Sequence, residues 1–217
     1  MIKLEKTDVF GWESAIRGMR NPLNSWKLSD SEFSIENSVS DGRFKQSVEL
    51  GANDLRLMRC LAKGGDDHAK FLRMINVTVD ITSHHAWWAE FDTYKVGTVR
   101  NSCSKMHKIH VKEFVVDDFS TEGIEECGGR TMEVFVGVIN ELEALRKLFN
   151  ETHEKKYWRA IIELLPMGYN LKATVQLNYQ VLKKMYFARK NHKLDEWREF
   201  CKWCETLPYF KDIVIQE

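Results

Sequence analysis

The alternation of apolar and polar residues between positions 77 and 81 constrains the fold most. Three β-branched apolar residues there alternate with a threonine and an aspartate. This period of two predicts a strand with one buried face. Ser83 can cap a short helix directly after it. That helix carries three large aromatic residues, Trp87, Trp88 and Phe91. The order therefore predicts a strand that runs straight into an aromatic helix.

The rest of the chain predicts a few more strands and several helices. A short strand is expected at 2–9 and a helix at 11–19, ended by the Asn-Pro pair that follows. The other expected segments are a loop with a turn of helix at 25–41, a helix capped by Asn53 and stopped at Gly64, a loop at 94–106, a turn at 123–129, and helices from 131, over 171–190 and over 193–206. We therefore expect one α/β (α+β) domain over 1–217, with a mixed sheet, flanking helices and a helical C-terminal half.

Charge and composition exclude several classes of protein. Lys+Arg and Asp+Glu number 32 each, so the formal charge is zero and nucleic-acid binding is not indicated. No apolar run approaches the ~20 residues of a membrane helix, so no membrane association is expected. The five cysteines and an N-terminus without an export signal favour reduced thiols in the cytoplasm.

The densest polar cluster covers residues 90–112. It combines lysines, one arginine, histidines and several hydroxyls around Gly97. Hydroxyls, amides and cations around a glycine suit phosphate recognition, because each can donate a hydrogen bond to a phosphate oxygen. The alternative is a solvated loop between a strand and a helix.

This cluster resembles the signature of the flavin-dependent thymidylate synthases, R-H-R-x-x-S-x-N-x-x-S-x-R. In one register the signature covers 94–106: Asn101 and Ser104 match, and Lys95 replaces the histidine. The arginine positions are then occupied by Tyr94, Val96 and Met106. The second register is shifted back by one residue. Its three arginine positions are then occupied by Thr93, Lys95 and Lys105. Its two serine positions are occupied by Thr98 and Cys103.

Other segments extend the resemblance thinly over about 68–212. The family has an upstream segment that begins with a histidine, and His68 occupies that position here. Met74 occupies the position of the second histidine of that segment. Downstream, a Leu-Pro pair precedes a helix with Asn178, Leu182 and Arg189 at the family's spacing. These spacings also suit a plain amphipathic helix.

The resemblance implies a homotetramer that binds FAD at subunit interfaces and transfers a methylene group from methylenetetrahydrofolate to dUMP, with NADPH as hydride donor. It implies a catalytic role for Ser104, or for Cys103 in the second register. It implies cofactor binding by His68, Trp87, Trp88 and Lys95. It implies substrate binding by Glu90, Tyr94, Arg100, Asn101, Lys105 and Gln180.

The departures from the signature bear on the reaction more than on the fold. A guanidinium binds phosphate through a planar fork, and its loss costs about 1.5–3 kcal/mol per charged hydrogen bond. Gln180 stands where the family has a further arginine. We therefore expect either such an enzyme or a relative with lost or changed activity. A non-catalytic nucleotide-binding homo-oligomer and a purely structural protein are the alternatives.

Three further features have both a structural and a functional interpretation. Cys201 and Cys204 have CxxC spacing, but without further ligands they predict two core thiols rather than a metal or redox site. The histidines lack a carboxylate-rich companion motif, so no metal is expected. The stretch 11–26 places Arg17 and Arg20 between two tryptophans, which suits either phosphate binding or an interface.

Overall fold

The computed structural model describes residues 1–38 and 43–216. Its strands are β1 (Lys3–Phe10), β2 (Glu32–Ser38), β3 (Arg43–Glu49), β4 (Asn76–His84), β5 (Val99–Ser102) and β6 (Asn170–Asn178). Its helices are α1 (Trp12–Arg20), α2 (Ala52–Lys63), α3 (His85–Phe91), α4 (Lys105–Lys108), α5 (Glu122–Cys127), α6 (Gly129–Thr152), α7 (Lys155–Leu164), α8 (Tyr179–Arg189) and α9 (Asp195–Thr206). The mixed α/β class predicted from the sequence is confirmed.

The strands form two sheets. A four-stranded antiparallel sheet has the order β1-β4-β6-β5. β2 and β3 form a separate antiparallel pair, in which Glu32 lies opposite Glu49 and Ser34 opposite Ser47. Among the described residues, no helix is both long and apolar enough to cross a membrane.

The chain divides into two compact units. The first comprises Met1–Lys3, Ile81–Thr93 and Asn101–Ala173, and the second comprises Leu4–Asp80, Tyr94–Arg100 and Thr174–Glu217. The expectation of a single domain stays a prediction, and each unit is described by itself.

The first unit is built around helix α6. One face of α6 buries Phe135, Ile139 and Leu142, and α7 packs against α6 through Ile161. The ring of Phe119 meets that of Phe135 edge-on at 5.4 Å. This face is the amphipathic stripe that the sequence predicts from residue 131 onward.

The second unit has an aromatic core. Tyr179, at the start of α8, meets Trp12 at 5.5 Å and Phe210 at 5.4 Å between ring centroids, both edge-on. Its hydroxyl donates to the carbonyl of Pro208 at 2.6 Å, so the one polar atom of this buried ring is satisfied. Burial raises the pKa of this phenol well above its usual value.

Asp54 is a fully buried carboxylate in the second unit. It accepts hydrogen bonds from Arg20 Nε at 2.6 Å, from the hydroxyls of Ser29 and Ser31 at 2.8 and 2.7 Å, and from the amides of Asp30 and Ser31. Burial alone would raise the pKa of this carboxyl, but the bonds from Ser31, Ser29 and Arg20 outweigh it and lower the pKa. This ion pair ties the 25–31 segment to α1 and α2.

Several sequence predictions were wrong in detail. The stretch 171–190 is not one helix, because β6 occupies its first part and α8 begins after Asn178. Strand β2 lies in the predicted loop 25–41, whose last residues fall outside the described ones. The predicted loop 94–106 contains β5 and the start of α4, and the predicted turn at 123–129 is largely helix α5.

The caps also differ from the prediction. His84, not Ser83, caps α3: its Nδ1 accepts from the amide of Trp87 at 3.3 Å. Gly51 rather than Asn53 precedes α2, and the carboxylate of Asp30 accepts from the first amides of that helix. Asp30, from an earlier part of the chain, thus satisfies N–H groups at the start of α2 that a local asparagine would otherwise satisfy.

Candidate functional site

The loop around Gly97 lies against the N-terminal end of α8 in the second unit. Gly97 has a φ of +84°, and a Cβ there would lie 3.0 Å from Val181 Cγ2 and 3.2 Å from Asn178 Nδ2. Asn178 caps α8 by accepting from the amide of Val181 at 3.1 Å. The Thr98 hydroxyl donates to the carbonyl of Tyr94 and closes the loop. Only glycine combines this backbone conformation with such a close approach.

Tyr94 holds the other end of this loop through a cluster that we call the Arg189 clamp, formed by Tyr94, Arg189 and Trp197. Arg189 Nε donates to the Tyr94 hydroxyl at 3.0 Å. Its guanidinium carbon lies 5.6 Å from the Tyr94 ring centroid and 4.9 Å from that of Trp197, both within cation–π range. The loop is therefore attached near both ends of α8.

The attached loop presents its middle to solvent. Lys95 is exposed, and Val96 is 92% exposed. A lysine at the tip of an anchored loop can meet an anion as a point charge. The side chain of Val96, which stands at an arginine position of the first register, offers an anion no hydrogen bond.

Gln180 faces a carboxylate. It is 4% exposed, and its Nε2 donates to Asp66 Oδ1 at 2.7 Å. Lys184 Nζ lies 3.0 Å from Asp66 Oδ2, and this hydrogen-bonded lysine lowers the pKa of the Asp66 carboxyl. Within the part of the chain that the structure describes, Gln180 Oε1 is buried without a hydrogen-bond partner. This position thus places a neutral amide beside the Asp66–Lys184 ion pair.

Ser104 and its neighbours belong to the first unit. The amide of Cys103 donates to the carbonyl of Lys172 at 3.0 Å. The exposed Ser104 hydroxyl caps α4 by accepting from the amide of His107 at 3.2 Å. Asn101 is exposed on β5 and Lys105 is half-buried. The structure thus shows Ser104 in a capping role, while its catalytic role stays a prediction.

The two tryptophans of α3 are buried in the first unit. Trp87 and Trp88 are 0% and 3% exposed. The Trp87 ring stacks on Phe91 at 5.1 Å, and Trp88 Nε1 donates to the carbonyl of Leu171 at 3.1 Å. Protein atoms cover both indoles, which supports the packing interpretation over flavin stacking. Glu90, on the same helix, is half-buried.

The predicted site residues fall into both units. The second unit holds His68, Tyr94, Lys95, Arg100 and Gln180, and the first holds Trp87, Trp88, Glu90, Asn101, Ser104 and Lys105. His68 is exposed and lies against Gly64. A Cβ added to Gly64 would lie 3.2 Å from the Cβ of His68. Their binding roles stay predictions.

Sequence reasoning missed Asp66 and Trp197 as neighbours of the candidate loop and of α8. Asp66 directly follows two glycines in a stretch that carries no motif. Trp197 lies on α9, where its spacing indicates only a buried face. Nothing in the sequence pairs either residue with α8.

The CxxC thiols are core residues of the second unit. Cys201 and Cys204 are free and buried. Burial raises the pKa of Cys201 to about 11 and that of Cys204 well above its usual value. The Cys201 thiol donates weakly to the carbonyl of Tyr186 at 3.8 Å. Buried protonated thiols are inert, as the core-thiol interpretation requires. The described residues contain no group of three potential metal ligands.

Comparison with solved structures identifies the fold. One similar structure is thymidylate synthase X from Helicobacter pylori with FAD and dUMP, with a TM-score of 0.67 and 15% identity over 99% of this chain and 97% of that one. A second structure of the flavin-dependent enzyme from H. pylori, also with FAD and dUMP, has a TM-score of 0.65 and 16% identity, covering 97% and 98%. No family model and no curated protein sequence matches the chain. The chain has the fold of the flavin-dependent thymidylate synthases.

Proposed function

We propose that this protein binds a pyrimidine nucleotide of the dUMP type on the flavin-dependent thymidylate synthase scaffold, with FAD as the cofactor in the catalytic form of the proposal. The observation that carries the proposal is the fold match over nearly the whole length of both chains, to structures that hold FAD and dUMP. The anchored loop around Gly97 supports it, because a preformed loop binds a ligand without a further ordering cost. The resemblance predicts phosphate contacts for Lys95 and Arg100 of the second unit, and separately for Lys105 of the first unit.

The residues present suit the nucleotide phosphate better than the flavin ring. Lys95 stands exposed at the tip of the anchored loop. In contrast, Trp87 and Trp88, the predicted flavin contacts, are covered by protein. The fit to FAD is therefore poor at these positions, and no catalytic step through a flavin is derived.

The second candidate function is nucleotide binding without turnover, by a homo-oligomer such as a tetramer. Gln180 favours it, because its buried neutral amide, which donates to Asp66 at 2.7 Å, lacks the charged fork with which an arginine binds a phosphate. In the catalytic form of the proposal, by contrast, the chain would transfer a methylene group to dUMP and would need NADPH and methylenetetrahydrofolate.

The first experiment measures ligand binding by the purified full chain. The visible spectrum shows whether flavin copurifies, and thermal shifts with added FAD and dUMP report binding. A ligand at 100 times its Kd stabilises the folded state by about 2.7 kcal/mol. No shift with either ligand, in a protein without flavin, would refute nucleotide binding.

Variants that lose positive charges test whether Lys95, Arg100 and Lys105 bind dUMP. The test variant changes Lys95, Arg100 and Lys105 to glutamine, and a control with the same change in net charge replaces the exposed cations Arg17, Lys63 and Arg130 by glutamine. The test variant should lose most of its dUMP-induced shift, whereas the control should keep it. Equal losses would indicate non-specific attraction and not a site.

Formation of dTMP separates the two candidates. The assay supplies dUMP, FAD, NADPH and methylenetetrahydrofolate, and mass spectrometry measures dTMP. Product above the level of the Lys95, Arg100 and Lys105 variant supports the enzyme. Binding without product supports the non-catalytic protein. Light scattering on the same sample tests for the tetramer.

A further inference from the structure

A cleft lies between the segment 21–28 and one face of α2, entirely within the second unit. Its volume is about 480 Å³, within the range of about 300–1,000 Å³ that small-molecule sites usually have. Leu23 and Leu28 form one wall and Leu57 lies on the α2 side, where Arg56 and Cys60 also line the cleft. This is the arginine- and tryptophan-rich stretch that the proposed nucleotide function leaves unused.

Arg20 makes the leucine wall rigid. Its side chain is 3% exposed, and its Nη1 and Nη2 donate to the carbonyls of Ser25 and Leu28 at 3.2 and 3.0 Å, while its Nε is paired with Asp54. Arg20 is therefore fully engaged within the protein and is not a phosphate ligand. Arg20 also lines the cleft and fixes the backbone of this segment at Ser25 and Leu28.

The wall exposes apolar surface that the chain itself does not cover. Leu23 is 58% exposed and Leu28 is 61% exposed. Grouped apolar side chains fixed in water beside a concave surface indicate a binding site more than single exposed leucines do. A ligand that covers them gains the hydrophobic term without having to order the wall.

Arg56 determines the charge of the preferred ligand. It is exposed on α2 and forms no ion pair with a residue of 1–38 or 43–216. Because Asp54 neutralises Arg20, Arg56 contributes the uncompensated charge of the lining, which among the described residues contains no acid. A guanidinium presents a planar fork that matches a carboxylate.

We propose that this cleft binds a small amphipathic monocarboxylate. Its aliphatic or aromatic body packs on Leu23, Leu28 and Leu57, and its carboxylate pairs with Arg56. This site is independent of the nucleotide site, and its test requires neither a flavin nor a nucleotide.

Octanoate, used below its micellar concentration, is the probe. Titration calorimetry should show binding of octanoate that is about fourfold tighter than that of heptanoate, the value for one buried methylene. Arg56→Gln should weaken octanoate binding about three- to tenfold, which is the range for a partly exposed charged pair. Arg17→Gln, an exposed cation of α1 outside the lining, is the matched control and should bind as the wild type does.

The alkylation rates of the exposed cysteines provide a second measurement of octanoate binding, with an internal control in the same sample. Cys60 lines the cleft, whereas Cys103 and Cys127 are exposed elsewhere. Octanoate should slow the alkylation of Cys60 by iodoacetamide and leave the rates at the other two unchanged, as measured by peptide mass spectrometry. Equal slowing at all three cysteines, or none at Cys60, would overturn the proposal.

Leu28→Asn tests the wall, with Leu164→Asn on α7 as its matched control, since both leucines are partly exposed. Only the first should weaken octanoate binding. Three other outcomes overturn the proposal: 1-octanol binds as tightly as octanoate, Arg17→Gln weakens binding as much as Arg56→Gln, or Leu28→Asn lowers the oligomeric mass. The last result would mean that a second copy of the chain covers the wall.

Discussion

Replacing Gly97 by alanine should destabilise the protein in a way that reports directly on the anchored loop. Two costs add at this position. An L-residue forced to a φ of +84° costs about 1–2 kcal/mol. The new Cβ would also lie 3.0 Å from Val181 Cγ2, well inside ordinary carbon contacts, and such overpacking costs about 1–3 kcal/mol. The free energy of unfolding should therefore fall by about 2–5 kcal/mol.

Gly65 provides the matched control. Its φ is +90°, but nothing lies within 4 Å of an added Cβ. Gly65→Ala should therefore show the backbone cost alone, about 1–2 kcal/mol. Urea unfolding followed by tryptophan fluorescence measures both variants. The double variant Gly97→Ala with Val181→Ala, compared with Val181→Ala alone, should show a smaller loss because the clash is removed. Equal losses for the two single glycine variants would refute the packing of the loop on α8.

Three further predictions concern the described contacts and the proposed binding. Asp54→Asn should lower the free energy of unfolding by about 3–5 kcal/mol, because it leaves the Arg20 charge buried and unpaired. Glu163→Gln, which removes an exposed pair with Arg159, is the control and should leave the melting temperature unchanged. Equal effects of the two substitutions would contradict the reasoning. Because the pKa of Asp54 is lowered on folding, the contribution of its carboxylate to stability should be complete above pH ~4 and disappear as the pH falls through the folded pKa. The unfolding free energies of wild type and Asp54→Asn should therefore converge in acid. A constant difference down to low pH would exclude ionisation of Asp54 as the cause. Val96→Arg, at a site that is 92% exposed, should fold normally and tighten dUMP binding about tenfold by adding one charged hydrogen bond, as measured by calorimetry; unchanged affinity would exclude the first motif register.

The Arg189 clamp illustrates which part of the candidate site was accessible from sequence. The spacing of Asn178 and Arg189 indicates a shared helix face, and Gly97 lies among hydroxyls and cations in the sequence. The contact between Arg189 and Tyr94 was not predictable, because the two residues are 95 positions apart and neither has a pattern that names the other. Likewise, the pairing of Gln180 with Asp66 depends on the path of the chain between them.

The error at 171–190 has a similar origin. Leu171, Val175 and Leu182 suggest helical spacing, but Leu171, Ala173, Val175 and Leu177 are the buried residues of β6 and alternate strictly. The helical period and the strand period both fit these apolar residues, and only pairing with neighbouring strands decides between them. Pairing in the sheet satisfies the backbone groups of this segment, and Asn178 then begins a helix by capping it.

By itself, the sequence determined the elements whose local signals agree: the strand at 77–81, the aromatic helix after it, the helix ending at Gly64 and the amphipathic face of α6. It also determined the mixed class, because periodicity, caps and breakers act over a few residues. Tertiary structure alone decided which polar residues meet. It buried Trp87 and Trp88, paired Arg20 with Asp54, and attached the Gly97 loop to α8. Such contacts depend on long-range packing, whose free energy has no counterpart in local sequence.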